Sequence, residues 1–210
     1  ANDEIIFSIA NNSEKEHASF IQPAISALIR KANIPLSELD AIAVSIGPGS
    51  YTGLRVGLAS AKGLCYTLKK PLILVNTLQA IAHASIQQPI AQYTSNTQLC
   101  ASIDARRMEI YTAFYDLGCK ELRSPYAAII DKDFFNYELK NNQIVFCGNG
   151  ASKIKDIISH PNALFSGVHH SIKDIAVLAW QRFVNKNFSD LAYSEPLYVK
   201  NVYTAPIKEN

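Results

Sequence analysis

Four residues, Gly47-Pro48-Gly49-Ser50, constrain this chain more than any others. They interrupt Ala41-Ile42-Ala43-Val44-Ser45-Ile46, a run apolar on both faces and therefore expected as a strand in the middle of a covered sheet. A helix is expected directly after them, from about Tyr51 to Lys69, with Pro71 marking its end. Leu72-Ile73-Leu74-Val75 then reads as a short buried strand, and Thr77 is placed to cap a helix reaching about Gln87. Strand, helix, strand and helix in that order mean right-handed β-α-β packing and an α/β fold.

The loop has a chemistry of its own. Glycine admits positive φ and close approach of other groups. The end of a strand meeting a helix N-terminus offers free N–H groups and a favourable dipole to an anion. With the hydroxyls of Ser50 and Thr52 added, Gly47, Gly49, Ser50, Thr52 and Gly53 form a candidate anion or nucleotide loop. Two familiar phosphate motifs do not fit it. A P-loop ends in Gly-Lys-Ser/Thr, whereas here Gly53 precedes Leu54-Arg55. The dinucleotide fingerprint needs glycine at position 52, which is threonine. From Ala41 to Ile103 there is no Asp or Glu, so the loop has no local carboxylate to bind Mg²⁺ or act as general base. A carboxylate could arrive from the second half, with Asp104 at a strand end the foremost candidate, but Asp104-Ala105-Arg106-Arg107 also reads as a hairpin turn.

Elsewhere Ala1-Asn2-Asp3-Glu4 is a polar turn before Ile5-Ile6-Phe7-Ser8-Ile9-Ala10, an expected strand. The sequence is thus expected to start inside a hairpin, with plain removal of a methionine as the alternative. Ser13-Glu14-Lys15-Glu16 fits a capping box for a helix carrying Phe20, Ile21, Ala24, Ile25, Leu28 and Ile29 at helical spacing. The Pro-, Ser-, Thr- and Asn-rich stretch from Gln88 to Gln98 is the expected junction between domains at 1–96 and 97–210. Beyond it, strands are expected at Leu99–Asp104, Glu109–Leu117, Leu122–Ile130 and Ile144–Cys147. Helices are expected near Asp133–Leu139, at Ala151–Ile158 after the tight turn Gly148-Asn149-Gly150, and at Ser171–Asn185.

In the helix after the glycine loop, Gly53, Gly57 and Ala61 recur at spacing four and leave one smooth face. Leu54, Leu58, Ala61, Cys65 and Leu68 make the adjoining apolar stripe. Such a helix is either a core helix on its sheet or one side of a subunit interface. The broad apolar face of the first helix raises the same choice.

Composition closes several doors. The net charge of +2 arises from 20 basic and 18 acidic residues without a basic arm, which argues against a dedicated phosphate-backbone binder. No apolar run approaches a membrane span, and four scattered cysteines without C-x-x-C argue for a reduced, cytoplasmic protein. His17, His83, His160, His169 and His170 form no H-x-x-x-H pair, so no metal site is expected. No serine stands in G-x-S-x-G.

The stretch from Asp40 through Gly47-Pro48-Gly49-Ser50-Tyr51-Thr52-Gly53-Leu54-Arg55-Val56-Gly57, followed by Ala61-Lys62-Gly63-Leu64, closely resembles the signature of the TsaB (YeaZ) family of tRNA threonylcarbamoyladenosine biosynthesis. His17, Asn76-Thr77-Leu78, Asp104-Ala105-Arg106 and Pro196-Leu197-Tyr198 extend the resemblance over essentially the whole chain. It implies a two-lobed ASKHA fold (actin-like/Hsp70-like ATPase, ribonuclease H-like). It further implies a non-catalytic relative of TsaD that pairs with TsaD, alongside the ATPase TsaE, for threonylcarbamoyl transfer to adenosine 37 of tRNA. On this reading tRNA is met only through the complex, and ATP or ADP is at most a ligand of the assembly. The implied dimer surface, with TsaD or with a second copy of itself, falls on His17, Ile21, Ala24, Leu28, Leu54, Gly57, Leu58, Ala61 and Cys65. Two features depart from the family. Its opening strand with an Asp/Glu-Thr-Ser/Ala element has no counterpart, and Tyr198-Val199-Lys200 stands where Tyr-Leu-Arg is usual. The competing readings are an M22-type glycoprotease-like metallopeptidase and a weak nucleotide-binding protein.

Overall fold

The structure, a computed structural model, describes residues 4–11, 17–90 and 93–200. The Ser13–Glu16 capping box lies outside the described residues, and the first helix, α1, is described over His17–Ala32 with Pro23 inside it. A single 3-10 turn at Leu36–Glu38 leads into strand β1 (Ile42–Gly47). Helix α2 (Tyr51–Leu68) follows the glycine loop and ends where Lys69 turns left-handed at φ 55°. Strand β2 (Leu72–Asn76) runs parallel to β1, with Ile42 opposite Leu72 and Ser45 opposite Val75. Helix α3 (Thr77–Gln87) is capped by Asn76, whose Oδ1 accepts the Leu78 N–H at 2.8 Å. The Thr77 hydroxyl, expected to cap it, pairs with Ser45 Oγ at 2.7 Å instead.

The second sheet uses β3 (Thr97–Asp104), β4 (Glu109–Tyr115), β5 (Glu121–Ile129), β6 (Gln143–Cys147) and β7 (Ala163–Phe165), in the order β5-β4-β3-β6-β7. The first three are antiparallel, as the hairpin spacing predicts, and β3, β6 and β7 are parallel. Helices α4 (Asn136–Asn141) and α5 (Ala151–Ile157) cover one face through Leu139, Ala151 and Ile154, around Phe114, Phe135 and Phe146. Helix α6 (Ile172–Val184) begins with a complete capping box, Ser171 with Asp174.

The layers interleave. Helix α3 sets Leu78, Ile81 and Ala82 against Leu99, Ala101, Ala113 and Val145 of the second sheet. It sets Ala80 against Ile73 and Val75 of the first, where Ile175, Leu178 and Ala179 of α6 join it. Helix α2 covers the opposite face of the first sheet, with Leu58, Ala61 and Cys65 on Leu72. The two sheets thus fall on either side of residue 96, while α6 and the segment after it return to the first. There Ser189 bridges to Leu72, and the Leu197 N–H donates to the Ile46 carbonyl at 2.8 Å.

Two expectations are corrected. Ile5–Ala10 forms no strand, since residues 4–11 have no strand beside them; Ile6 is 66% exposed, and Phe7 lies under Lys31 Nζ at 4.8 Å. Among the described residues β1 pairs with β2 alone, so it is an edge strand rather than a central one. Helix α2 covers one face of β1 through Ile42 and Val44, whereas on the other face Ala43 is exposed and lines a cavity with Ala176, Ala179 and Trp180 of α6. An apolar run on both faces thus does not by itself mean a strand with both faces covered.

Candidate functional site: the glycine loop and the helices beside it

Gly47 has φ +105° and precedes Pro48 across a cis bond. A Cβ on Gly47 would lie 2.7 Å from Leu54 Cδ1 and 3.5 Å from the Leu197 carbonyl oxygen. Ser50 caps α2: its Oγ accepts the Gly53 N–H at 3.3 Å and its carbonyl accepts the Leu54 N–H at 2.9 Å. The Gly53 amide, one of the free donors of the first turn, therefore ends on Ser50 rather than on an anion. Thr52 is exposed at the first turn.

Residues 189–200 form a strap that the sequence reading did not find. Lys62 Nζ donates to the carbonyls of Ala192 and Ser194, both at 3.0 Å. Arg55 lies 4.0 Å from the Tyr51 ring centroid, and its Nε donates to the Tyr198 hydroxyl at 2.7 Å. The Tyr51 and Tyr198 rings are 5.6 Å apart. Lys200 Nζ then reaches the Glu109 carboxylate of β4 at 2.8 and 2.9 Å. The strap's sequence sign is Pro196-Leu197-Tyr198, which carries part of the family resemblance but has no periodicity to show where the segment packs.

Asp104 serves its own turn. Its Oδ1 accepts from Lys153 Nζ and from the Arg106 N–H, both at 2.6 Å. Burial opposes its charge, but the Lys153 and Arg106 hydrogen bonds outweigh that and hold the carboxyl below the usual range. No group of three His, Cys, Asp or Glu among the described residues is placed to hold a metal. Burial pushes the Cys100 thiol up to about 12 and that of Cys119 to about 11, the opposite of an activated nucleophile. His83 Nδ1 and Asp174 Oδ1 are 3.0 Å apart and tie α3 to α6. No described helix is long and apolar enough to cross a membrane.

The residues expected at a dimer surface divide into two groups. Ile21, Ala24 and Leu28 of α1 are half-buried, and no residue of α1 with a described side chain is fully buried. The first helix touches α2 through Gln22 Nε2, which donates to Ser60 Oγ at 3.0 Å. Leu58, Ala61 and Cys65 are interior, at 4%, 5% and 1% exposure, and so are unavailable to a partner. Gly57 also faces inward, since a Cβ there would meet Val44 Cγ2 at 3.6 Å. Leu54 packs on Gly47. The smooth row of Gly53, Gly57 and Ala61 thus lets α2 settle on β1. The outward row is Arg55, Ala59, Gly63 and Tyr66, with Tyr66 80% exposed. His17 opens the described helix, and its side chain is outside the described atoms.

The family model for "TsaD: tRNA N6-adenosine threonylcarbamoyltransferase" matches residues 4–203. The protein of Haemophilus influenzae named tRNA threonylcarbamoyladenosine biosynthesis protein TsaB is 27% identical over 212 residues, covering 91% of this chain and 83% of that one. Its Escherichia coli namesake is 25% identical over 194 residues, covering 89% and 82%. The chain belongs to this family, in its TsaB (YeaZ) branch. The TsaB fold is evident in three dimensions as well. A Pseudomonas aeruginosa crystal structure, described as an uncharacterized protein with similarity to peptidase YEAZ, superposes with a TM-score of 0.72 at 24% identity, covering 88% of this chain and 84% of that one. The α/β arrangement is the two-lobed ASKHA architecture that the TsaB resemblance implies.

Proposed function

We propose that this chain is a non-catalytic partner subunit in tRNA threonylcarbamoyladenosine biosynthesis, standing beside TsaD, with TsaE, for threonylcarbamoyl transfer to adenosine 37. Its place in the pathway follows from the family and from the names of its relatives. The observation that supports the non-catalytic part is that Ser50 closes the first turn of α2 on itself, its Oγ accepting the Gly53 N–H at 3.3 Å, while the sequence from Ala41 to Ile103 supplies no carboxylate. At Gly47 the loop meets Leu54 and the Leu197 carbonyl, and its outer residues Gly49, Ser50 and Thr52 are exposed. The half-buried apolar row of α1, with Ile21, Ala24 and Leu28, and the outward row of α2 are the surface offered to TsaD.

Reconstitution tests this. TsaD and TsaE with tRNA and a threonylcarbamoyl donor should form the modified nucleoside, read by mass spectrometry, far faster with the chain than without it. Equal rates would sink the reading. Gly63→Arg should abolish association with TsaD in light scattering while leaving the melting temperature unchanged, because a Cβ at Gly63 meets nothing within 4 Å. Gly57→Arg should unfold the chain instead, since it drives the side chain into β1.

A further inference from the structure

At the carboxyl ends of the parallel strands β3, β6 and β7, three turns converge. Asp104–Arg107 follows β3, Gly148-Asn149-Gly150 follows β6, and Ser166–His169 follows β7. The first two are bonded together: the Asp104 N–H donates to Asn149 Oδ1 at 3.0 Å, and the Gly150 N–H to the Ser102 carbonyl at 3.2 Å. The second and third enclose a cavity of about 340 Å³ whose lining includes Asn149, Ser152, Lys155, Phe165, Ser166 and His169. The crevice outside the carboxyl ends of parallel strands is where α/β sheets characteristically take ligands.

The charge at this edge is mainly basic. Arg106, Arg107 and Lys155 are exposed, and none has a carboxylate partner among the described residues. Two of the nearby carboxylates are paired, Asp104 with Lys153 and Glu109 with Lys200, while Asp131 follows Ile130, whose N–H donates to the Met108 carbonyl beside the turn. Asp156, next to Lys155, does not line the cavity. Arg106 and Arg107 both have positive φ, 68° and 48°, on consecutive residues of a turn fixed by Asp104. Ser166, 5% exposed, accepts from the Val168 N–H and keeps its own proton for an acceptor in the cavity. Phe165 and His169 add flat rings to the wall.

We propose that this edge contacts the phosphodiester backbone of RNA directly, with Arg106, Arg107 and Lys155 on successive phosphates and one nucleotide unit entering the cavity. Guanidinium forks and an ammonium on separate turns suit repeated phosphates, and rings beside them suit an unstacked base. The inference rests on the tRNA-modifying role above and departs from the expectation that tRNA is met only through the complex. Three cations supply a positioning contact rather than tight stand-alone binding, in keeping with a net charge of +2.

The test is fluorescence anisotropy of the full chain with a labelled tRNA transcript between 50 and 200 mM salt. The variant R106Q/R107Q/K155Q should bind at least tenfold more weakly at the lower salt. Its plot of log affinity against log salt should be shallower by about 2, the loss of three phosphate contacts. The variant K69Q/K70Q/K186Q removes equal charge elsewhere and should bind like the parent; thermal melts establish that both are folded. Equal losses in the two variants, no RNA binding by the parent, or displacement of RNA by millimolar ATP would each overturn the inference. The two readings fail separately. A parent chain that binds RNA at this edge without stimulating TsaD defeats the proposed function alone. A folded triple variant that binds RNA like the parent and stimulates TsaD defeats only the RNA contact.

Discussion

Two strand-to-helix turns in this chain are built on the same plan and serve opposite ends. Both follow a parallel strand and both hold a glycine at positive φ, Gly47 at +105° and Gly148 at +86°. The first is closed at its base by the chain itself, with Leu54 and the Leu197 carbonyl against Gly47 and the strap over the helix that follows, while Gly49, Ser50 and Thr52 stay exposed. The second is packed tightly beneath and open above. A Cβ on Gly148 would lie 2.2 Å from the Ser102 carbonyl, yet Gly148 also lines a cavity. A glycine-rich turn is therefore not by itself a ligand site. What decides is whether the space above the turn is taken, and that depends on residues more than a hundred positions away, such as Leu197 and Tyr198.

Substitutions can break or sharpen the contrast. Gly148→Ala should be the most damaging, because the atom in the way is a backbone carbonyl that cannot rotate aside and the φ is unfavourable to any Cβ. A loss of about 3–5 kcal/mol is expected, a drop of roughly 10 °C or more in thermal melting. Gly47→Ala carries a similar backbone strain, but its closest neighbour is the end of the Leu54 side chain, which can move. About 2 kcal/mol is expected by urea denaturation; a loss as large as at Gly148 would show that the strap, not Leu54, sets the fit. Ser50→Ala removes a long cap bond of 3.3 Å and should cost about 0.5 kcal/mol, at the low end for an N-cap. Gly49→Ala, with positive φ absent and its nearest contact at 4.0 Å, should fall within about 0.5 kcal/mol of the parent in the same titration.

The residues foretell local order well and long-range closure poorly. Pro71 and the apolar spacing place α2 to within a residue, and Ser171 marks the start of α6. Both signals are local, written within one or two turns of helix. Strand β7 escaped because Ala163-Leu164-Phe165 is too short to show a period. Ile5–Ala10 shows the converse: an apolar run is a strand only when another strand lies beside it, and that condition belongs to the fold. For the candidate site, glycine spacing correctly marked Gly53, Gly57 and Ala61 as a smooth row, but spacing cannot say which way the row faces. Gly57 faces Val44 in β1, because the apolar residues flanking it on the helix already commit that side to the sheet.

The arrangement of α3 carries a mechanical consequence. It touches both sheets within the five residues Leu78–Ala82, Ala80 toward one and Leu78, Ile81 and Ala82 toward the other, all at or below 2% exposure. Any rotation of one lobe against the other would have to unseat one of these faces, and close-packed interiors resist such displacement. The molecule is thus built to hold a fixed shape rather than to open and shut like a clamshell, and whatever it presents to a neighbour it presents as a rigid template.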